Sequence, residues 1–122
     1  MFSRIRAHKV SFAHAIDGFV HNVKTQPNFR FHLLATICAV LLGINLSISY
    51  FEWLTLVFTV NMVLVAEMVN TSIESMVDLI TLERREDARI AKDVSAAMVL
   101  ISAVMAIIVG SLIFIPKIIS AL

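Results

Sequence analysis

Three stretches of the chain are long and apolar enough to predict helices that cross a membrane. They run from residue 31 to about 48, from 53 to 69 and from 94 to 116, and the last contains no charged side chain. A helix needs about 20 apolar residues to cross roughly 30 Å of hydrocarbon. The pattern therefore predicts three transmembrane helices, over residues of about 31–49, 52–80 and 90–116.

The residues before the first apolar stretch alternate between apolar and polar with the period of an α-helix. This pattern predicts an amphipathic helix over about residues 3–25, ended by Pro27. Its apolar positions are Ile5, Phe12, Ile16, Phe19 and Val23. Such a helix can lie on the inner leaflet of a membrane or pack on the transmembrane bundle, and the pattern fits both arrangements. Because a proline restricts the residue before it, Gln26 is expected to be extended.

The composition favours a membrane protein. Of 122 residues, 59% are hydrophobic and 16% are charged, which is more apolar surface than a soluble domain of this size hides in one core. A soluble bundle of three helices is the competing interpretation. No internal repeat or domain-scale linker is present, so residues 1–122 are expected to form one domain. The predicted fold class is an all-α membrane protein with three transmembrane helices and an N-terminal amphipathic surface helix.

Basic residues flank the predicted spans unevenly. The connection over residues 45–52 has none, whereas they cluster before the first span and between the second and third. The two clusters consist of Arg4, Arg6, Lys9, Lys24, Arg30, Arg84, Arg85, Arg89 and Lys92. The positive-inside rule then predicts a multi-pass protein of the cell membrane with its N-terminus in the cytoplasm. The basic residues are too few and too close to the membrane to indicate nucleic-acid binding.

A polar stripe interrupts the apolar pattern at the end of the second span. At about 100° per residue, Glu67, Asn70, Glu74 and Asp78 fall within an arc of about 80° on one side of that helix. Ionisable groups at membrane depth cost about 2.5–3.5 kcal/mol each to insert and normally face a protein interior or a wet cavity. Solvation at the helix end would explain Asp78 and, less readily, Glu74. Glu67 lies too deep for that explanation and is the strongest candidate for a functional carboxylate.

Carboxylates in such positions suit two kinds of chemistry. Glu67 could act as a general base while Glu74, nearer water, holds Mg²⁺ together with substrate phosphates, as in phosphoryl transfer. The same stripe could instead conduct protons or cations. Lys92 and Asp93 begin the third span on the same side of the membrane and would add a cation for phosphates and another acid. Lys92 and Asp93 could also be ordinary charged residues at the start of a helix, without a role in a site.

Several common sites are absent from the sequence. None of the three glycines belongs to a Gly-x-x-x-x-Gly-Lys loop or to a kinase-type glycine-rich loop. The four histidines have no partner set at zinc-ligand spacing. The residue patterns alone therefore indicate a buried carboxylate site facing the cytoplasm, without naming its substrate.

Two segments, "EMVNTSIESMVDLI" and "AKDVSAAMVLISA", resemble the signature of the prokaryotic diacylglycerol kinase family of small integral membrane lipid kinases. The segments "SFAHAIDGF", "NFRFHLLA" and "IFIPK" extend the similarity over most of the chain and resemble the Gram-positive undecaprenol kinase branch. The resemblance implies a homotrimer with active sites shared between protomers. It also implies ATP as co-substrate, Mg²⁺ as cofactor and a lipid alcohol as acceptor, with undecaprenol preferred over diacylglycerol.

The resemblance further implies a role for each motif position. Glu67 matches the general base that takes the proton from the lipid hydroxyl as its oxygen attacks the γ-phosphate of ATP. Glu74 matches a metal-binding carboxylate that also contacts the nucleotide, and Asn70 and Asp78 match supporting positions. The other positions that match nucleotide-binding residues are Glu83, Arg84, Arg85, Lys92 and Asp93.

The chain departs from the family at Gln26, where an acidic residue usually helps Glu74 to hold the divalent ion. A neutral amide beside Pro27 should weaken Mg²⁺ binding, because a hard cation favours charged oxygen donors. Three outcomes stay open: a kinase with weaker metal affinity, a kinase in which another acid such as Asp17 compensates, or a member without catalysis. The last would be a non-enzymatic membrane oligomer or a cation-binding protein.

Overall fold

The computed structural model describes residues 12–122, which fold into four α-helices and contain no strand. These helices are α1 (Phe12–Thr25), α2 (Pro27–Asn45), α3 (Tyr50–Ile80) and α4 (Glu86–Ala121). Helix α1 covers the second part of the predicted surface helix. The first part, before residue 12, lies outside the described residues.

Helices α2, α3 and α4, of 19, 31 and 36 residues, are long and apolar enough to cross a membrane. Most of their apolar side chains are exposed on the outside of the protein, as expected for helices that face lipid. At 1.5 Å per residue, α3 and α4 are about 46 and 54 Å long, so both extend beyond a hydrocarbon layer of roughly 30 Å. The prediction of an all-helical, multi-pass protein with three membrane spans is confirmed.

Helix α2 ends at Asn45 and α4 begins at Glu86, about four residues before the predicted positions, and two further differences from the predicted spans occur at prolines. Helix α2 begins at Pro27, ahead of the predicted start near residue 31, because proline suits the first helical position, where its missing N–H has no helical partner. Gln26 is extended, with φ −110° and ψ 103°, as expected before a proline. Helix α4 continues past Pro116 to Ala121, since an internal proline removes one hydrogen bond without having to end the helix.

A short turn connects α2 tightly to α3. The hydroxyl of Ser49 accepts a hydrogen bond from the Glu52 N–H at 3.3 Å, and Glu52 Oε2 accepts one from the Ser49 N–H at 2.6 Å. This capping box satisfies two N–H groups at the start of α3. Gly43 is buried against Trp53, and a Cβ at this position would lie 3.0 Å from the Ile48 and Trp53 side chains. The glycine therefore allows the indole to pack closely on α2.

The buried apolar core lies beside this turn. It consists of Ile48, Leu56, Ile113 and Phe114. Helices α3 and α4 form the most extensive pair, and α2 packs mainly on α3. The opposite end of the bundle, here called the loop end, is formed by the carboxyl end of α3, residues 81–85 and the start of α4. The polar residues predicted to be functional lie toward the loop end.

Helix α1 packs on α2 and α3 through its carboxyl-terminal part. The rings of Phe19 and Phe29 meet edge to face with centroids 5.4 Å apart, and Phe29 is fully buried. Asn22 is also buried, and its Nδ2 donates to Thr71 Oγ1 of α3 at 3.4 Å. Phe12, earlier in α1, stays exposed. Packing on the bundle, one of the two arrangements expected for this helix, is thus present at its end nearest α2.

Candidate active site

The four residues of the predicted polar stripe all lie on α3, and their exposure rises toward the loop end. Glu67 is buried at 3% exposure, Asn70 and Glu74 are half-buried, and Asp78 is exposed. Glu67 and Asp78 are separated by about 16 Å along the helix axis. The stripe thus joins a buried carboxylate at membrane depth to a solvent-accessible end.

Ser95 of α4 links the middle of the stripe to the neighbouring helix. Its hydroxyl, 2% exposed, donates to Asn70 Oδ1 at 2.7 Å. Asn70 Nδ2 in turn donates to Glu74 Oε1 at 3.4 Å. Because Oδ1 accepts from Ser95, the amide nitrogen of Asn70 is the group directed at the Glu74 carboxylate. Asn70 therefore supports Glu74, the residue predicted to bind metal.

Lys92 and Asp93 are engaged by different partners at the loop end. Lys92 Nζ lies 2.5 Å from Asp78 Oδ1, which joins α4 to the end of the stripe. Asp93 instead pairs with Arg89, whose guanidinium reaches both Asp93 at 2.7 Å and Glu86 at 2.6 Å. The structure thus brings Lys92 to the polar stripe and places Asp93 in a separate ion-pair cluster on the surface of α4.

A cavity of about 560 Å³ opens at the loop end. The predicted nucleotide-binding residues Glu83, Arg84, Arg85 and Lys92 line it, together with Asp78. Within residues 12–122, the guanidinium groups of Arg84 and Arg85 form no ion pair. Guanidinium and ammonium groups are the side chains that bind phosphate oxygens most readily. The cavity therefore offers two guanidinium groups that could bind phosphate, beside the acidic side chains of Asp78, Glu83 and Glu86.

His32 of α2 lies beside Glu67 at the buried end of the stripe. Its Nε2 lies 3.3 Å from Glu67 Oε1, and the two side chains are 17% and 4% exposed. Below them, Thr71 Oγ1 donates to the Glu67 carbonyl at 3.0 Å while accepting from Asn22. Residues from α1 and α2 thus surround the part of α3 that carries Glu67.

Gln26 and Asp17 do not join the stripe through any hydrogen bond or ion pair in residues 12–122. Gln26 Nε2 donates to its neighbour Thr25 at 3.2 Å, and Asp17 is 79% exposed and 4.0 Å from His14. The described residues contain no group of three or more His, Cys, Asp or Glu side chains that could hold a metal ion. Mg²⁺ is usually held by one or two carboxylates and substrate phosphates, and Glu74 fits that smaller requirement.

Two residues that contact the stripe, His32 and Ser95, were not predicted from the sequence. Asn22, which donates to Thr71 beside the stripe, was not predicted either. His32 carried the clearest signal, because an imidazole near the start of a predicted membrane span is unusual and often functional. Ser95 follows the Lys-Asp pair by two residues, but a serine within an apolar helix is common in membrane proteins. Their proximity to Glu67 and Asn70 depends on how the helices pack.

Known proteins resemble nearly the whole chain. A family model described as prokaryotic diacylglycerol kinase matches residues 13–114. Undecaprenol kinase of Bacillus subtilis is 37% identical over 107 residues, which cover 88% of this chain and 87% of the relative. Diacylglycerol kinase of Synechocystis sp. is 35% identical over 112 residues, which cover 91% of this chain and 64% of the relative. The chain, with three membrane helices and a carboxylate stripe on the second of them, therefore belongs to the prokaryotic diacylglycerol kinase family of lipid kinases.

Proposed function

We propose that the protein transfers the γ-phosphate of ATP to a membrane lipid alcohol in an Mg²⁺-dependent reaction, and that the alcohol is undecaprenol. The observation that carries the proposal is the polar stripe of α3, which joins buried Glu67 to the cavity lined by Arg84 and Arg85 at the loop end. The undecaprenol kinase relative supports the choice of alcohol, since the alignment covers 87% of that relative against 64% of the diacylglycerol kinase.

In the proposed reaction Glu67 accepts the proton of the lipid hydroxyl as the oxygen bonds to the γ-phosphorus. The bond between that phosphorus and the bridging oxygen of ADP breaks, and ADP leaves with the electron pair. Lys92, Arg84 and Arg85 bind and orient the phosphates. Positioning and charge neutralisation supply most of the rate in such reactions.

Glu74 would hold Mg²⁺ together with the phosphates of the nucleotide. The bound ion would neutralise phosphate charge during transfer. Asn70 and Ser95 keep the Glu74 carboxylate in place. Gln26, the N-cap of α2, would be the weaker, neutral metal ligand, and Asp78 holds Lys92 at the end of the stripe.

We further propose that the protein is a homotrimer in the cell membrane with its N-terminus and loop end in the cytoplasm. The basic residues before α2 and between α3 and α4 support this orientation. Asn61, in the middle of α3, is exposed and makes no side-chain hydrogen bond to residues 12–122. An amide at membrane depth is stabilised by hydrogen bonding across a helix interface, so Asn61 supports association with further copies.

Two other candidates each have one supporting observation. The Synechocystis relative, named diacylglycerol kinase, supports diacylglycerol as the acceptor. The neutral Gln26, where the family usually has an acid, supports a member without catalysis that acts as a membrane oligomer or binds cations. The ordered contacts of Asn70, Ser95 and Lys92 favour the kinase, because a proton path has no evident use for them.

The test is phosphate transfer from labelled ATP with Mg²⁺ to undecaprenol or diacylglycerol in separate mixed micelles. The wild type is expected to favour undecaprenol, and Glu67→Gln should lose the transfer. Glu52→Gln is the matched control, because it removes a carboxylate from the same helix at the opposite end and a glutamine still suits a capping box. Folded wild-type protein that labels neither lipid would refute the proposal.

A further inference from the structure

One oxygen of the buried Glu67 carboxylate has no hydrogen-bond donor among residues 12–122. This atom is Oε1, and it is the single fully buried side-chain nitrogen or oxygen in the described residues without a partner. Buried carboxylates are strongly destabilised in the ionised form unless donors or opposite charges face them. A general base must be ionised before it accepts a proton, so Oε1 requires a donor.

His32 is placed to supply that donor. Its Nε2 lies 3.3 Å from Oε1, and both side chains are shielded from solvent. No hydrogen bond to Oε1 is present in this arrangement. A small rotation of the imidazole would align the two, since the separation is already close to that of an N–H···O bond.

Other polar groups around Glu67 are already engaged. Asn70 donates to Glu74, Asn22 donates to Thr71, and Thr71 donates to the Glu67 backbone carbonyl. A cavity of about 330 Å³ between α2, α3 and α4 also borders His32 and is lined mainly by apolar side chains. The two threonines in its lining donate to backbone carbonyls of their own helices. His32 is thus the uncommitted donor at this place in the described residues.

We propose that His32 is a positioning residue for Glu67. Its Nε2–H donates to Oε1, which holds the carboxylate in its ionised form and leaves Oε2 to take the proton of the lipid hydroxyl. The inference rests on the proposed kinase function. It adds to that function a second residue, on a different helix, through which the general base is controlled.

The kinetic test compares two substitutions at the same position. His32→Phe keeps a ring and removes the donor, whereas His32→Gln keeps an N–H at a similar distance from the backbone. We expect His32→Phe to lower kcat by about 10- to 100-fold with both KM values within about twofold, because the lost interaction acts on the base. His32→Gln should recover most of kcat. Equal losses in the two variants, or a change confined to KM, would overturn the proposal.

The matched control is His21→Phe. His21 lies on α1, is exposed and is outside the stripe, so this substitution removes an imidazole without reaching Glu67. We expect its kcat to stay within about twofold of the wild type. A loss in His21→Phe as large as that in His32→Phe would show that the loss is not specific to the His32 contact and would count against the proposal.

A second measurement does not depend on kinase activity. Dicyclohexylcarbodiimide, a hydrophobic reagent, modifies protonated carboxyl groups, and mass spectrometry of the purified protein quantifies the adduct at Glu67. Without its donor, Glu67 should take up a proton, so we expect labelling to rise about threefold or more in His32→Phe and to stay near wild type in His32→Gln. Unchanged labelling in His32→Phe would refute the contact. A wild type without transfer activity but with this labelling pattern would refute the kinase function alone.

Discussion

Ser95 on α4 and Asn70 on α3 form a partly buried hydrogen bond of 2.7 Å that sets the orientation of the Asn70 amide. With Oδ1 occupied, Nδ2 is directed at Glu74. A hydroxyl group on one membrane helix thus determines how a carboxylate on another is held. The contact also accounts for a serine with only 2% exposure in an otherwise apolar part of α4.

Ser95→Ala should destabilise the protein and weaken its response to Mg²⁺. The substitution leaves the half-buried Asn70 amide oxygen without its Ser95 donor, which costs about 1 kcal/mol, and it frees the amide to turn away from Glu74. Thermal unfolding in micelles and an Mg²⁺ titration of transfer activity measure the two effects. Ser102→Ala is the control, because the Ser102 hydroxyl donates to the Met98 carbonyl within α4. Equal effects of the two substitutions would contradict this role of Ser95.

Lys92→Gln should affect ATP binding more than folding. Lys92 and its partner Asp78 are 40% and 50% exposed, and exposed ion pairs contribute only about 0–1 kcal/mol to stability. We expect KM for ATP to rise about tenfold, because the ammonium group that is proposed to bind phosphate is lost. Steady-state kinetics with saturating lipid provides the measurement. Lys117→Gln, which breaks the pair with Glu52 at the other end, should leave KM for ATP unchanged.

Gln26→Glu should lower the Mg²⁺ concentration needed for half-maximal transfer. The new carboxylate would add a charged oxygen where the family usually has one, and hard cations favour such donors. Transfer activity measured against Mg²⁺ concentration tests the change. Asp17→Asn in the same assay tests compensation, and the exposure of Asp17 beside His14 predicts no effect. An unaltered requirement in Gln26→Glu would remove this position from the metal site.

Gly43→Ala should destabilise the packing of α2 on α3. The added methyl group would lie 3.0 Å from Ile48 and Trp53, and overpacking of this kind costs about 1–3 kcal/mol. Gly110→Ala provides the comparison, because nothing lies within 4 Å of its added Cβ. Alanine also favours a helix over glycine by up to about 1 kcal/mol. Unfolding midpoints that fall in Gly43→Ala and hold or rise in Gly110→Ala are the expected result.

The hydrophobic pattern was sufficient to predict the helices, because the length needed to cross a membrane leaves few alternatives for runs this apolar. The bounds were harder to predict. Pro27 was expected to end α1, and it also begins α2. The apolar pattern predicts that the last span ends at Pro116, but α4 continues to Ala121. A proline can end a helix, begin one or lie within one, and the proline alone does not reveal which of these occurs.

The sequence predicts the part of the site that lies on the single helix α3. Spacing along α3 placed Glu67, Asn70 and Glu74 on one face, because residues three and four apart are neighbours on a helix. Spacing does not reveal which residues of other helices meet that face. His32 and Ser95 come from α2 and α4, and their contacts depend on how those helices pack against α3.

The length of α3 has a consequence for the two substrates of a lipid kinase. Glu67 lies about 25 Å from the first residue of the helix and Asp78 about 42 Å, so a layer of roughly 30 Å ends between them. In the proposed reaction a lipid alcohol anchored in the bilayer presents its hydroxyl at Glu67, and a water-soluble phosphate donor enters from the side of Asp78. One continuous helix therefore carries a polar surface from the hydrocarbon layer to water, along which the two substrates can meet.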